Sequence, residues 1–435
     1  MIVKFGLKNF KGIIDANINI KPITLLIGAN GTGKSTIGQA LLVLRQSINS
    51  SKLNPSGYYI DLGIIDDLFF EKNMTIPIKF HLEGKTNDIK YEINFSVHES
   101  EIEVDYAKFD GLRDFQLKNN VEAESFIKGI EVRKGLIQFI SDDDYFDKDS
   151  NRKTLFGKNF NLSIESRNLF WKPITVQIGP HTPGFENKFE QLKELFSTIE
   201  HNLSNIVFIP SIRGTLDASQ PLQDEHSRAL SISFKTLSER NNNWISTLAY
   251  DEKLLKKIST WCKDILGSPL KVKLIPQKNV VLERILKRKT KEEDITVRIV
   301  NEGFGLNQLA FLLTEIAQAP NGSIILIEEP EIHLHPAAQA KLMEILVTEA
   351  VNNKKHLIIT THSEHILFQS LTMVGLQELN FDDLSLHYFY KGTKGCFNKS
   401  LVFNKQGRLE ETLPGFFEAN LERFKRYMNI LGEKG

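Results

Sequence analysis

The run Gly28-Ala-Asn-Gly-Thr-Gly-Lys-Ser35 constrains this chain more than any other stretch. It fits G-x-x-x-x-G-K-[ST], and its flanks fit as well. Ile23-Thr-Leu-Leu-Ile27 reads as a buried strand, and Ile37, Ala40, Leu41 and Leu44 have helical spacing. Strand, glycine-rich loop and helix form the setting in which such a string cradles phosphate. Gly28, Gly31 and Gly33 let the backbone curl so that its N–H groups face phosphate oxygens. The helix opening near Lys34 adds the positive end of its dipole. Lys34 is suited to the β- and γ-phosphates, and the Ser35 hydroxyl to Mg²⁺. A nucleoside triphosphate ligand follows from this arrangement.

At 435 residues the chain holds either two or three domains or one elaborated α/β domain. Lys+Arg and Asp+Glu number 54 each, so no global field draws the chain to nucleic acid or anionic membrane. Any such surface is local. Cys262 and Cys396 have no metal-ligand spacing, which predicts a reduced, cytoplasmic setting. The first residues alternate like a strand and lack a signal peptide's apolar stretch. A membrane span is not expected, for want of a run of about 18 apolar residues.

Val3, Phe5 and Leu7 alternate, as do residues 13–20, which predicts strands ahead of the phosphate loop. Alternation resumes over 76–106, with Ile89, Tyr91, Ile93, Phe95 and Val97, and predicts antiparallel strands. The acidic cluster 141–147 either binds a cation or is a solvated loop. Phe189, Leu192, Phe196, Ile199 and Leu203 share one face of an amphipathic helix. Helical segments are also expected at 230–237 and 244–255. Residues 205–209 read as a buried strand leading to Arg213, which acts near the nucleotide, at a subunit contact or structurally. Arg284, Lys287, Arg288, Lys289 and Lys291 mark the tip of a predicted hairpin between 280–282 and 295–300. They form either a solvated turn or a contact to nucleic-acid phosphates. No heptad repeat persists, which excludes a long coiled-coil arm.

Asn301-Glu-Gly-Phe-Gly-Leu-Asn-Gln-Leu309 opens a predicted helix with Leu306, Leu309, Leu313 and Ile316 on one face. Glycines at a helix start present N–H groups to an anion. In Ser323-Ile-Ile-Leu-Ile-Glu-Glu-Pro-Glu-Ile-His-Leu-His-Pro336, four apolar residues end in two acids. That describes a buried parallel strand with carboxylates at its C-terminal tip, the ligand end of an α/β sheet. Glu328 is suited to hold Mg²⁺ through water, and Glu329 to polarise an attacking water as general base. His333 and His335 either share a metal or serve packing beside the strand. Lys355-His-Leu-Ile-Ile-Thr-Thr-His-Ser363 is a further strand, ending in His362. Strands are also expected at 384–390 and 400–403, and a helix carrying Phe417, Leu421, Phe424 and Met428.

These motifs in this order resemble the RecF/SMC/OLD group of ABC-type ATPases. The resemblance rests on Leu7-Lys-Asn-Phe-Lys11 ahead of the loop and on Ile27-Gly-Ala-Asn-Gly-Thr-Gly-Lys-Ser-Thr36. Glu-Pro-Glu-x-His-Leu-His-Pro at 329–336 points to the OLD-like branch, as does Pro414-Gly-Phe-Phe417. It implies an α/β, ABC-type P-loop NTPase with an N-terminal antiparallel β lobe, a mixed central sheet and a largely helical/β insertion. It implies ATP held by Asn30, Gly31, Thr32, Gly33, Lys34, Ser35 and Thr36, with Mg²⁺ at Ser35 and Glu328. The signature falls on Asn301, Gly303 and Gly305, with Asn301 or Asn307 in place of its serine. Glu329 and His362 are then the catalytic pair, and 58–68 takes the Q-loop's place without a glutamine.

The expected division is a lobe with the phosphate loop at 1–50, an insertion at 51–300, a second lobe at 301–375 and an extension at 376–435. In this group the phosphate loop of one subunit is closed by the signature of another, which implies a homodimer or higher oligomer. The role implied is an ATPase switch acting on a separately encoded effector, such as a nuclease, in antiphage or genome defence. The alternatives are a DNA-binding repair ATPase and a non-hydrolysing scaffold or sensor. OLD proteins proper carry a TOPRIM nuclease domain. The tail after Ser363 is too short for one and has no Glu followed by Asp-x-Asp, so nuclease activity is not expected.

Overall fold

Uninterrupted apolar runs form the parallel strands of this chain, and alternating runs form its antiparallel ones. The computed structural model describes residues 1–48, 50, 52–86, 89–110, 116–117, 125–133, 136–141, 160–163, 175–178, 197–214, 217, 219–222, 237–286, 294–302 and 304–411. Its first elements are β1 (Ile2–Phe10), β2 (Ile13–Asn19), β3 (Ile23–Gly28), α1 (Lys34–Gln46), β4 (Ile78–Thr86), β5 (Ile89–His98) and β6 (Glu101–Asp110). The short strands β7 (Gln116–Leu117), β8 (Ser125–Arg133), β9 (Leu136–Ser141), β10 (Phe160–Ser163) and β11 (Thr175–Ile178) follow. Next come β12 (Ile206–Ile209), β13 (Gln220–Pro221), α2 (Leu237–Tyr250), α3 (Glu252–Leu266), β14 (Leu270–Ile275), β15 (Asn279–Leu286) and β16 (Ile295–Arg298). The chain continues through α4 (Phe304–Gln318), β17 (Ile324–Glu328), α5 (Pro336–Asn352), β18 (His356–Thr361), α6 (Glu364–Gly375), β19 (Leu384–Lys391) and β20 (Cys396–Ser400).

Two compact units result, Met1–Asn19 with Gln39–Ser204, and Ile20–Gly38 with Asn205–Gly435. In the first, β1 pairs antiparallel with β2 and β4, β4 with β5, β5 with β6 and β6 with β8. The alternation read over 76–106 becomes a two-sided sheet. Tyr91, Ile93, Phe95 and Val97 of β5 are buried, while Lys90 is exposed. Phe80 on β4 packs its ring 6.4 Å from Phe5 and 6.1 Å from Phe10. Residues 197–204 are helical, with Ile199 and Leu203 buried as their spacing predicts.

In the second unit β12, β17, β18, β3 and β19 pair parallel in that order, and β20 adds antiparallel to β19. Every residue of β3 and β18 is buried, and both are mainly apolar, with Thr24 in β3 and His356, Thr360 and Thr361 at the ends of β18. Ile327, Ile359 and Leu25 share a core with Phe311 and Leu313 of α4 and Leu342 of α5. A smaller sheet pairs β15 with β13, β14 and β16. Arg240 of α2 and Glu315 of α4 form a buried ion pair, and Arg240 also donates to the Phe208 carbonyl at 2.6 Å.

Three local expectations are corrected. The helix expected at 244–255 is two, because the Asp251 carboxylate accepts from the Leu254 N–H at 2.9 Å and caps α3. The strand expected at 295–300 stops at Arg298 and tightens into a 3₁₀ turn over Ile299–Asn301. The returning strand of the last hairpin lies at Cys396–Ser400 rather than 400–403, because the turn closes early, with the Gly392 N–H on the Gly395 carbonyl at 2.8 Å. The expectations at 142–147, 189–196, 230–236 and 412–428, and Lys287, Arg288, Lys289 and Lys291, lie outside the described residues. Among the described residues the long helix α5 has 17 residues and none is long and apolar enough to cross a membrane.

Candidate active site

Because β3, β12, β17 and β18 run parallel, the loops leaving their C-terminal ends gather on one edge of the sheet. Gly28 closes β3 with φ +151°, and a Cβ there would lie 2.3 Å from the Phe389 carbonyl oxygen of β19. Only glycine allows that approach. Gly31 (φ +73°) and Gly33 (φ +94°) complete the curl. A Cβ on Gly31 would meet nothing within 4 Å, so the loop's exposed rim offers room for a phosphate.

Inside the loop, side chains are satisfied by main-chain oxygens. Lys34 Nζ donates to the carbonyls of Gly28 at 3.0 Å and Ala29 at 2.8 Å, and Thr32 Oγ1 donates to Ala29 at 2.8 Å. Burial pushes the Lys34 ammonium down to about 8, against the pull of Glu329 and Glu331. Asn30 is exposed at the rim, and Thr36 N–H bonds the Gly33 carbonyl at 3.2 Å as α1 begins.

Glu328 ends β17 next to this loop. Burial raises its carboxyl above the usual range, opposed by hydrogen bonds from the Ser35 hydroxyl and the Ser211 backbone. A hydroxyl and a carboxylate already in contact form a donor set of the hard-oxygen kind that Mg²⁺ takes. The next residue, Glu329, has a left-handed backbone, φ +44°, and its N–H bonds the Thr360 carbonyl at 2.9 Å. Its Oε1 lies 3.5 Å from His362 Nε2, with both side chains about one-third exposed (34% and 31%). The His362 ring is pushed below its ordinary range by burial and by Lys34, while Glu329 and a bond with the Gly28 backbone oppose that. It is therefore neutral at neutral pH and able to accept or relay a proton.

Arg213, given three readings from sequence, is held inside the protein. Only 5% of it is exposed. Its Nη1 donates to the Pro210 carbonyl at 3.0 Å and the Glu328 carbonyl at 2.8 Å, and Nη2 to Glu329 and Pro330, each at 3.3 Å. It pins the turn that carries the acids. Burial pushes the guanidinium down to about 10, against Glu331, Glu329 and Glu328.

Asn301 is exposed at the end of its 3₁₀ turn, and Gly303 lies outside the described residues. Gly305 packs against the turn after β17, where a Cβ would lie 2.8 Å from the His333 carbonyl oxygen. Asn307 is buried, with its Oδ1 2.8 Å from where a Cβ on Gly214 would be. The histidine pair serves local structure: His335 Nδ1 accepts from the Ala337 N–H at the start of α5, and His333 has φ +62°. No metal-type cluster of acids, histidines and cysteines occurs among the described residues. Arg284 is ion-paired to Glu302 at 2.6 Å on the hairpin's strand rather than its tip.

Sequence reasoning quoted Glu331 but gave it no role, and it left out Gln339. Glu331 Oε1 accepts from Thr361 Oγ1 at 2.7 Å and the His362 N–H at 2.8 Å, and Ser363 Oγ bonds Gln339 Oε1. The only sequence signal was a third acid in the Glu-Glu-Pro-Glu string.

A family model described as "AAA domain, putative AbiEii toxin, Type IV TA system" matches residues 23–367, from the strand before the phosphate loop to past His362. The chain belongs to this AAA_21 family. Among curated proteins, this AAA_21 chain is 23% identical over 531 residues to Endonuclease GajA of Bacillus cereus (strain HuB5-5), covering 99% of the chain and 72% of the relative. It is 24% identical over 387 residues to the Old nuclease of Escherichia phage P2, covering 84% of the chain and 57% of that protein. Among solved structures, an SMC head bound to the C-winged helix domain of ScpA aligns with TM-score 0.45 and 14% identity, over 92% of this chain and 98% of that one. The protein is thus an AAA_21-family chain of mixed α/β structure.

Proposed function

We propose that this chain binds ATP with Mg²⁺ and hydrolyses it to ADP and phosphate. The observation that carries the reading is the 3.5 Å approach of Glu329 to His362 beside the Lys34 loop. Asn30, Gly31, Thr32, Gly33, Lys34, Ser35 and Thr36 hold the phosphates, and Ser35 with Glu328 takes the metal. Bound Mg²⁺ neutralises phosphate charge. Glu329 accepts a proton from the attacking water, and His362 beside it orients that water. The reading is tested by phosphate release from the wild-type chain and its Glu329→Gln variant. A loss of about 100-fold or more is expected from removal of a general base, and undiminished turnover in the variant would sink the assignment.

The active assembly in this reading is a homodimer or a higher oligomer. Asn301, Gly303 and Gly305 of one copy close the phosphate loop of another, consistent with an exposed Asn301 and an exposed Gly31. ATP then favours the closed form by contacts made only there, and hydrolysis releases it. Such a slow switch suits regulation of a separately encoded effector in antiphage or genome defence in the cytoplasm. The family description, which names a toxin of a type IV TA system, supports a regulatory role of this kind. A second reading, a DNA-binding ATPase, is favoured by the nuclease names of both relatives and by the basic residues 287–291 between β15 and β16. Size measurement with Glu329→Gln and ATP separates dimer from monomer, and co-purification from the native cells separates effector from nucleic acid.

A further inference from the structure

Glu331 has no part in the mechanism above, yet it joins the two catalytic strands' ends. It sits on the turn after β17, two residues past Glu329. That turn is fixed at three consecutive carbonyls, Glu328, Glu329 and Pro330, by the buried Arg213. From this anchored position the Glu331 carboxylate reaches the exit of β18. One oxygen, Oε1, accepts both the Thr361 hydroxyl at 2.7 Å and the His362 N–H at 2.8 Å. Thr361 Oγ1 in turn accepts the Ser363 N–H at 2.9 Å, and Ser363 Oγ caps α6 by accepting the Ile366 N–H at 3.2 Å. The second oxygen, Oε2, is buried with no hydrogen-bond partner among the described residues.

A carboxylate that binds the backbone of His362 fixes where the ring starts from, and the same turn fixes where the Glu329 carboxylate starts from. The 3.5 Å separation of the two side chains is then set by one rigid connection rather than by each loop alone. We propose that Glu331 is a positioning residue that holds His362 in register with Glu329. The inference rests on the ATPase reading and adds to it a residue whose described hydrogen bonds run to the exit of β18.

The geometry makes the consequences specific. Glu331 makes none of the described hydrogen bonds of the phosphate loop and acts on Lys34 only through its charge, which alanine and glutamine both remove, so the loss that alanine shows and glutamine does not falls on the chemical step. An amide oxygen accepts the same two donors, so glutamine substitutes where alanine does not. The effect also passes through His362, so it vanishes once that ring is gone.

The test measures phosphate release for Glu331→Ala and Glu331→Gln, each with His362 intact and with His362→Ala. Glu331→Ala should lower kcat about 10–100-fold, the range for a small misplacement of a catalytic group, with KM for ATP unchanged. Glu331→Gln should recover most of that, and Glu331→Ala should add nothing further in the His362→Ala background. Equal losses in both backgrounds, a glutamine variant as poor as alanine, or a loss confined to KM would each overturn the proposal. A readout independent of turnover is the His362 ring resonance, assigned by its disappearance in His362→Ala. It should move in Glu331→Ala and stay in Glu331→Gln. A wild-type chain that releases no phosphate would defeat the ATPase reading, and an unmoved ring resonance would defeat the positioning role.

Discussion

Arg213→Ala removes a guanidinium that is 95% enclosed and leaves the Glu328–Pro330 turn without its donors. Two of its four bonds, at 2.8 and 3.0 Å, have full strength, and the two at 3.3 Å are long. Counting only the short pair, at about 1.5–3 kcal/mol for each bond to a charged group, the loss is about 3–6 kcal/mol. That is a large share of the roughly 5–15 kcal/mol by which folded proteins exceed their unfolded states. At about 2–4 °C per kcal/mol for a unit of this size, melting should fall by at least about 6 °C. Two of the three tryptophans, Trp244 and Trp261, lie on α2 and α3 of the same unit, so tryptophan fluorescence in a Trp171→Phe background follows the relevant transition. Arg213→Lys keeps the charge but not the planar fork, and should fall between the two. Phosphate release should drop with stability, because the left-handed Glu329 (φ +44°) is held by the same bonds. An Arg213→Ala chain that melts within about 2 °C of wild type, under 1 kcal/mol on the same scale, would refute the clamp.

Two further outcomes follow from the loop. Lys34 is pushed down to about 8, so below that pH the folded chain carries a penalty for its charged form, and the penalty fades as pH rises toward the ordinary 10.5. This group therefore makes stability rise with pH across that window, the unfolded chain binding more protons there, and Lys34→Met should flatten the rise in denaturant melts. A phosphate restores the charged form, so ATP binding near pH 8.5 should take up a proton; equal calorimetric heats in buffers of different ionisation enthalpy would contradict this. Gly28→Ala places a Cβ 2.3 Å from the Phe389 oxygen and should cost about 1–3 kcal/mol from overpacking alone, with loss of ATP binding, whereas Gly31→Ala meets no atom within 4 Å and should cost only the backbone strain of an alanine at φ +73°, about 1–2 kcal/mol. Wild-type melting of Gly28→Ala would show that β3 and β19 separate without cost.

The parallel core was legible because strands buried on both faces are mainly apolar, as β3, β17 and β18 are at residues 25–27, 324–327 and 357–359, with the candidate site residues just beyond their ends. The antiparallel first unit was legible from alternation in β5. The break between α2 and α3 was not. Apolar spacing runs through Trp244, Leu248, Leu254 and Leu255, and Asp251 stops the helix by a side-chain bond to one N–H rather than by any change in that spacing. Arg213 was legible only as a charge after a strand. Three of its four acceptors are main-chain carbonyls 115–117 residues away, and a carbonyl is the same whatever side chain it carries. Glu331 was hidden for a related reason: one of its two donors is a backbone N–H, and the other is one of many threonines. Side-chain-to-backbone contacts organise this site, and a string of residue types does not record them.

The same kind of contact bears on how the loop selects its ligand. Lys34 Nζ rests on the Gly28 and Ala29 carbonyls, Thr32 Oγ1 on Ala29, and Ser35 on Glu328. A phosphate that enters must take these donors from oxygens that already satisfy them. Exchanging one acceptor for another gains little in hydrogen bonding, since the number of bonds is nearly conserved. What changes is charge. Two carbonyls are neutral, and the ammonium they hold is burdened by burial, while a triphosphate brings negative oxygens that relieve that burden. Glu328, whose carboxyl burial keeps above the usual range, is relieved in the same way by a divalent cation. Phosphate and metal each relieve a strain of opposite sign, so together they gain more than either gains alone. A neutral ligand of the same shape would displace the same bonds and gain none of this, which makes the loop selective for charge before any contact with a base or sugar.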